Sequence, residues 1–125
     1  MQILENKTAL ITGGSKGIGF GIAAALMAQG MSVAITSRSQ KGADEAAAEL
    51  NKSGKGKALG IKADVRNFES QQKAVDTVLK KWGTLDLFVA NAGVGFFASI
   101  EDMTLDQWHE TIDTNLTGVF YSLKA

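Results

Sequence analysis

The chain has 125 residues, 45% of them hydrophobic, which is the size and apolar content of one folded domain. Its formal net charge of zero gives no electrostatic reason to expect nucleic acid or an acidic membrane as a partner. The absence of cysteine excludes disulfides and thiolate metal ligands, and no metal site is predicted. Because residues 1–7 lack the zones of a signal peptide and no apolar run could span a bilayer, we expect a soluble cytoplasmic protein.

Four apolar runs predict β-strands. The first and the last of them are rich in apolar residues, as in strands that are buried on both faces of a parallel sheet. The third run is shorter and weaker. The predicted strands are 8–11, 32–36, 58–61 and 85–90.

A helix is predicted after each strand, in 18–28, in 43–51, in 68–82 and from residue 104 onward. Each helix has an apolar face in this prediction. The face of the first helix consists of Ile18, Ile22, Ala25, Leu26 and Ala28, and that of the second of Ala43, Ala47 and Leu50. The face of the third consists of Val75, Val78, Leu79 and Trp82, and that of the last of Leu105, Trp108, Ile112, Leu116, Val119, Phe120 and Leu123.

Capping residues mark the helix ends. Gly30 ends the first helix, and Ser37 or Ser39 leads into the second. Asn67 is the predicted N-cap of the third helix and Gly83 its C-cap. The last helix is predicted to begin at a T-x-x-Q capping box, 104–107.

The alternation of strands and helices predicts an α/β fold with a doubly wound parallel sheet. In the strand order 3-2-1-4 the topological switch lies between the first and fourth strands. A ligand is then expected over their carboxyl ends, beside 12–19 and 91–95. The sheet is predicted to be incomplete, because no fifth strand covers the other edge of the apolar fourth one.

The turn at 12–19 joins the first strand to the first helix and has the layout of a phosphate-binding turn. Its glycines are Gly13, Gly17 and Gly19, a G-x-x-x-G-x-G spacing that differs from the common G-x-G-x-x-G fingerprint. Phe20 stands where a Walker A loop would need lysine. Glycines let the backbone approach an anion, and the helix N-terminus supplies free N–H groups. The alternative is a tight turn without a ligand.

Four motifs in this order resemble the N-terminal half of a short-chain dehydrogenase/reductase of the classical branch. They are T-G-x-x-x-G-x-G at 12–19, Asp64-Val65, Asn91-Ala92-Gly93 and Asn115 within 114–120. Ala90 departs from the family pattern, where asparagine is commoner. The resemblance covers essentially the whole chain and implies a Rossmann-like fold, an aspartate that contacts adenine, and a catalytic Asn115 whose backbone holds a water in a proton relay.

The cofactor-binding residues that this resemblance implies, together with the two at the end of the second strand, are Gly13, Ser15, Lys16, Gly17, Ile18, Gly19, Ser37, Arg38, Asp64, Val65, Asn91, Ala92 and Gly93. Simpler roles stay open for several of them. Asp64 can be an N-terminal charge of the third helix, Asn91 can hold the strand ends together, and Asn115 can be an exposed residue.

The end of the second strand predicts NADP(H) as the cofactor. An NAD-selecting fold places a carboxylate there to bond the ribose 2′-OH. This chain instead has Ser37 and Arg38, which can donate to a 2′-phosphate, with Lys16 as a second cation. The alternative is that both cations are ordinary surface residues.

The family's catalytic serine and Tyr-x-x-x-Lys pair are not found in this chain. The only tyrosine is Tyr121, and Lys124 follows at a spacing of three, so this pair is not expected to be catalytic. We therefore expect 1–125 to be the NADP-binding half of a longer enzyme, which binds cofactor without turnover.

The resemblance implies an oxidoreductase that transfers hydride between nicotinamide and a small-molecule carbonyl or alcohol substrate, such as a 3-oxoacyl-thioester reductase or a sugar or polyol dehydrogenase. It also implies a homo-oligomer, a dimer or tetramer, formed through the helix that contains Asn115. The rival hypothesis is a non-catalytic module that binds NADP(H) or pairs with a partner through its open sheet edge. A flavodoxin-like domain is disfavoured, because 13–19 is neither acidic nor rich in hydroxyl groups.

Overall fold

A computed structural model describes residues 3–125, so Met1 and Gln2 of the predicted domain lie outside the described residues. The elements in chain order are β1 (Thr8–Ile11), α1 (Gly17–Ala28), β2 (Ser32–Ser37), α2 (Gln40–Asn51), β3 (Ala58–Lys62), α3 (Phe68–Trp82), β4 (Leu87–Val89), α4 (Leu105–Ile112), a π-helical segment (Asp113–Thr117) and α5 (Gly118–Lys124). Within residues 3–125 no helix is both long and apolar enough to cross a membrane.

The four strands form one parallel sheet in the order β3-β2-β1-β4. In the centre of the sheet, Leu10 of β1 pairs in register with Ala34 of β2 and Phe88 of β4. This arrangement confirms the predicted α/β class, the Rossmann-like topology and the strand order. The switch between β1 and β4 lies where the sequence predicted a ligand.

Helices cover both faces of the sheet, and successive residues of β1 point to opposite layers. Ala9 and Ile11 pack in a cluster with residues of α1 and α2, whereas Leu10 packs with residues of α3. All three are 0–1% exposed. Burial on both faces explains why β1 reads as a continuous apolar run rather than as an alternating one.

The residues that α1 buries completely differ from the predicted ones, whereas α3 buries Val75 and Val78 as predicted and differs at one residue. In α1 the buried residues are Gly19, Ala23 and Met27, while Ile18 is 77% exposed. Because α1 is apolar nearly all round, its hydrophobic pattern does not select one face. In α3, Leu79 is 42% exposed and does not point inward as predicted.

Helix ends follow the capping chemistry closely. The carbonyl oxygen of the Asn67 side chain accepts from the Ser70 amide at 2.9 Å, and Gly83 has φ 80°, so α3 has the predicted bounds. Thr104 forms the predicted capping box. Helix α2 begins three residues earlier than predicted, because Ser39 caps it by accepting from Gly42 at 3.2 Å.

The predicted continuous last helix is wrong, because the π-helical segment Asp113–Thr117 separates α4 from α5. A π-helical turn inserts i→i+5 hydrogen bonds, which the apolar periodicity of the sequence does not reveal. Much of the predicted apolar face is solvent-exposed, namely Leu105, Trp108, Leu116, Phe120 and Leu123.

Candidate functional site

The carboxyl ends of β1 and β4 are joined by side-chain hydrogen bonds. The Thr12 hydroxyl oxygen accepts from the amides of Asn91 and Ala92, both at 3.0 Å. The Asn91 side-chain amide donates to the carbonyl oxygens of Thr12 at 3.1 Å and Gly13 at 3.2 Å. Thr12 is only 1% exposed, so these bonds hold the start of the glycine turn in place.

The three glycines of the turn serve different purposes. Gly13 has φ 64°, and a Cβ there would lie 2.9 Å from the Cα atom of Ala92. A Cβ at Gly19 would lie 2.5 Å from the side-chain nitrogen of Asn91 and 2.6 Å from the carbonyl oxygen of Gly13. Gly17 has φ 61° and would meet nothing within 4 Å, so its role is conformational.

Gly14 is a fourth glycine of the turn with no room for a side chain, and the sequence reasoning did not single it out. A Cβ at Gly14 would lie 2.6 Å from the Cγ2 atom of Ile35. The Gly14 amide also donates to the Thr36 carbonyl oxygen at 3.1 Å. The turn is therefore packed directly against β2, and the doubled glycine at 13–14 was the available signal.

A cleft of about 520 Å³ opens above these strand ends. Of the predicted site residues it is lined by Gly13, Ser15, Lys16, Ile18, Ser37, Arg38, Asp64, Val65, Asn91, Ala92 and Gly93. Gly17, Gly19 and Asn115 do not line it. Gly19 is buried between the turn and Asn91. Val94, which lies in the predicted ligand-side loop 91–95, also lines the cleft, and the lining residues that sequence reasoning missed are Thr36, Ser39, Ala63, Arg66 and Thr114.

Asp64 and Arg66 form a bidentate ion pair on one wall of the cleft. The guanidinium donates to both carboxylate oxygens, at 3.1 and 2.8 Å, and the Arg66 amide donates at 3.0 Å. These hydrogen bonds lower the pKa of Asp64, although partial burial opposes the shift. Asp64 is therefore ionised at neutral pH, and its charge is matched locally by Arg66.

Arg38 lies at the end of β2 and faces α4. Its Nη1 atom is 3.9 Å from Oε1 of Glu110, and the Arg38 side chain is 61% exposed. The Ser37 hydroxyl oxygen accepts from the Ser39 amide at 3.3 Å, so its own proton can be donated into the cleft. Lys16 is exposed at the N-cap of α1 and makes no capping bond with its side chain.

Asn115 lies in the π-helical segment and is bonded to the loop after β4. Its side-chain oxygen accepts from the Val94 amide at 2.8 Å, and its side-chain nitrogen donates to the Val94 carbonyl oxygen at 2.8 Å. The neighbouring Thr114 is buried and lines the cleft. Asn115 thus connects this segment to the cleft loop, although its side chain is not in the cleft wall.

Tyr121 and Lys124 pack elsewhere. The Tyr121 ring lies 5.7 Å from that of Phe68, and the Lys124 ammonium lies over the same ring at 5.9 Å. Neither residue lines the cleft. Among residues 3–125 no group of His, Asp or Glu side chains is arranged to hold a metal ion.

The cleft is suited to a dinucleotide. No side chain caps the first turn of α1, so its amide groups are available to an anion, and Gly17 leaves open space beside them. Parallel strands, a glycine turn at the switch point and polar side chains at the end of β2 are the features of dinucleotide-binding α/β proteins. More specifically, the chain belongs to the short chain dehydrogenase family, whose sequence profile matches residues 7–125.

Relatives cover nearly the whole chain. Glucose 1-dehydrogenase 2 of Bacillus subtilis is 43% identical over 124 residues, which are 98% of this chain and 48% of that protein. The 3-oxoacyl-[acyl-carrier-protein] reductase of Synechocystis is 39% identical over 126 residues, covering 100% of this chain and 51% of the relative. The chain therefore spans about half the length of the relatives that it matches.

Solved structures agree with the fold. A short-chain type dehydrogenase/reductase from Mycobacterium marinum superposes with a TM-score of 0.91 at 36% identity, over 98% of this chain and 48% of its own. An alcohol dehydrogenase from Thermococcus sibiricus, complexed with 5-hydroxy-NADP, has a TM-score of 0.88 at 38% identity, over 94% of this chain and 50% of its own. A 3-ketoacyl-(acyl-carrier-protein) reductase from Brucella melitensis, complexed with NADH, has a TM-score of 0.87 at 31% identity, over 97% of this chain and 49% of its own. Nicotinamide cofactors of both kinds thus occur among these neighbours.

Proposed function

We propose that this chain is the cofactor-binding half of an NADP(H)-dependent oxidoreductase. When bound, the nicotinamide supplies or accepts the hydride that converts a carbonyl carbon to an alcohol carbon or the reverse. The substrate classes that the relatives suggest are 3-oxoacyl thioesters and sugars or polyols. The family membership and the cleft above β1 and β4 support this proposal.

The preference for NADP(H) depends mainly on Arg38. It stands at the end of β2, beside Ser37, and both line the cleft. An NAD-selecting fold has a carboxylate at this strand end, which would repel a 2′-phosphate. A guanidinium can instead form a bidentate, charge-assisted pair with the phosphate.

The other predicted residues of the cleft would hold the rest of the cofactor. The turn with Ser15, Lys16 and the free amides of α1 would bind the pyrophosphate. Asp64 and Val65 would contact the adenine. The carboxylate of Asp64 can still accept a further hydrogen bond, because each oxygen has two lone pairs and Arg66 uses only some of them.

Asn115 would act on the reaction from the far side of the loop. Its two bonds to Val94 hold the loop that follows β4, and the family resemblance implies that its backbone holds a water for proton transfer. The family's Tyr-x-x-x-Lys pair does not occur in residues 1–125. We therefore propose that this chain binds NADP(H) but does not itself turn over substrate.

The test is a titration of the chain with NADPH and with NADH, followed by fluorescence or calorimetry, for the starting chain and for Arg38→Asp. We expect NADPH to bind more tightly than NADH to the starting chain. Arg38→Asp should weaken NADPH binding by at least about tenfold, because it replaces a favourable charge-assisted contact with repulsion.

Lys41→Asp is the matched control for that experiment. It makes the same change of charge in the first turn of α2, but Lys41 is exposed, pairs with Glu45 and does not line the cleft. The control should bind both cofactors like the starting chain. Equal affinity of the starting chain for NADPH and NADH would contradict the proposed preference.

A further inference from the structure

A carboxylate lies opposite the proposed phosphate-binding arginine. Glu110 of α4 pairs with Arg38, with Oε1 3.9 Å from Nη1, although Glu110 does not itself line the cleft. This separation is too long for a hydrogen bond, so the pair is an ion pair without directional contact. The Glu110 side chain is 34% exposed and the Arg38 side chain 61% exposed. Each side chain can therefore change its orientation at little cost.

Arg38 is the cation that pairs with Glu110, and Arg66 lies close enough to be attracted by the same carboxylate. Arg66 also lies on this side of the cleft, but both of its donor groups facing Asp64 are engaged by that carboxylate. Within residues 3–125, Arg38 is the one cation within 4 Å of Glu110. The negative charge of Glu110 therefore acts at short range on Arg38 and on whatever anion Arg38 binds, whereas it attracts Arg66 over a longer distance.

We propose that Glu110 is a specificity-determining residue that competes with a ribose 2′-phosphate for Arg38 and so limits the preference of the site for phosphorylated nucleotides. This inference rests on the proposed function. A bound 2′-phosphate would have to draw the guanidinium from Glu110 and would also lie near the carboxylate. Both effects weaken its binding, and neither acts on a nucleotide that carries a free 2′-hydroxyl.

Glu110→Gln separates the charge of this residue from its shape, because the amide has nearly the same size and reach. The probes are adenosine 2′,5′-bisphosphate and adenosine 5′-monophosphate, titrated by calorimetry. We expect the variant to bind the bisphosphate about two- to fivefold more tightly, the range given by exposed ion pairs, with unchanged binding of the monophosphate. This readout needs no turnover.

Two further variants make the result specific. In the Arg38→Gln background, Glu110→Gln should have a clearly smaller effect on bisphosphate binding, since the competition acts through Arg38. Glu49→Gln removes the same charge from the last turns of α2, and Glu49 is paired with Lys52. Because α2 starts at the cleft edge and runs away from it, Glu49→Gln should not change the preference.

The outcomes distinguish this inference from the proposed function. An unchanged ratio of the two affinities in Glu110→Gln, or an equal gain for both nucleotides, would overturn the role of Glu110. The starting chain could also bind the bisphosphate and the monophosphate equally, with a preference for the bisphosphate only in Glu110→Gln. That result would support the role of Glu110 and contradict the proposed NADP(H) preference. Equal affinities in both chains would overturn both.

Discussion

Asn91 shows how a single side chain can organise the edge of a cleft. Its amide group donates to two carbonyl oxygens of the glycine turn, and its backbone amide donates to Thr12. The space for this side chain exists because position 19 has no Cβ. Asn91 thus holds the strand ends together, which was the simpler role left open by the sequence, and it also lies in the cleft wall.

Gly19→Ala should destabilise the fold by about 1–3 kcal/mol, the usual cost of overpacking. The added methyl group would lie 2.5 Å from the Asn91 side chain and 2.6 Å from the Gly13 carbonyl oxygen, so the turn must shift. The free energy of unfolding in urea measures this loss. Cofactor affinity should fall as well, because the same shift moves the phosphate-binding amides.

Gly21→Ala is the matched control on the same helix. A Cβ at Gly21 meets nothing within 4 Å, so the substitution should stabilise α1 by about 0.5–1 kcal/mol through helix propensity. A loss of stability in Gly21→Ala similar to that in Gly19→Ala would show that close packing at Gly19 is not the cause.

The ion pair of Asp64 with Arg66 should make stability depend on pH in the acid range. Hydrogen bonds from Arg66 lower the pKa of Asp64 below its ordinary value of 3.8 in the folded state. The stabilisation is therefore complete above the unfolded-state pKa and is lost as the pH falls through the folded-state pKa. Arg66→Ala should cost at most about 1 kcal/mol at neutral pH, as for partly exposed pairs, and the difference should shrink in acid.

The measurement combines urea unfolding at several pH values with NMR titration of the Asp64 carboxyl carbon. In Arg66→Ala the pKa of Asp64 should rise toward its ordinary value. Lys62→Ala, which removes an exposed cation two residues before Asp64, should leave that pKa almost unchanged. A similar rise in both variants would indicate a general field effect rather than the specific pair.

At the scale of elements, the π-helical segment is connected to the loop after β4 by one side chain. Asn115 makes two bonds to Val94, a residue 21 positions earlier in the chain. The segment and the loop are thereby held together beside the cleft, with Thr114 and Val94 in its wall. A helix-like apolar pattern alone gives no sign of this connection.

Asn115→Ala should release the loop, and hydrogen exchange of the Val94 amide should become at least about tenfold faster, because that amide loses its acceptor. Asn115→Asp is the graded control, since its carboxylate can still accept from Val94 while the donor to the Val94 carbonyl oxygen is lost. In Asn115→Asp the Val94 amide should stay more protected from exchange than in Asn115→Ala. Unchanged exchange in Asn115→Ala would contradict the role of this bond.

At the scale of the whole molecule, a series of exposed apolar side chains lies along α4, the π-helical segment and α5. Leu116, Phe120 and Leu123 are all solvent-exposed and stand at helical spacing. Exposed apolar side chains that form a large patch mark interaction sites. The family resemblance implied that this helical region forms the contact between copies of the protein.

Leu123→Glu should weaken self-association of the chain by at least about tenfold, because burying an unpaired carboxylate in an interface is costly. Sedimentation over a range of concentrations measures this effect. Ala48→Glu introduces the same charge on an exposed position of α2, on the other face of the sheet, and should have little effect. Equal self-association in all three chains would contradict the proposed interface.

Capping residues and the alternation of strands with helices were enough to predict most of the fold from the sequence alone. Asn67 and Gly83 specified the ends of α3, because a side-chain acceptor and a left-handed residue act within a few positions. Alternating strands and helices specified a parallel sheet, because helical crossovers join strands that run in the same direction. The strand order 3-2-1-4 was an expectation for one type of doubly wound fold. The glycine turn likewise predicted the ligand edge, because its strand, turn and helix are consecutive in the chain.

Only the tertiary structure decided which residues meet across the chain. The pattern of α1 could not identify its buried face, because apolar residues surround the helix and the sheet selects Gly19 and Met27. The pairing of Arg38 with Glu110 and of Asn115 with Val94 joins residues far apart in sequence. Such contacts depend on how the elements pack, and no local propensity encodes them.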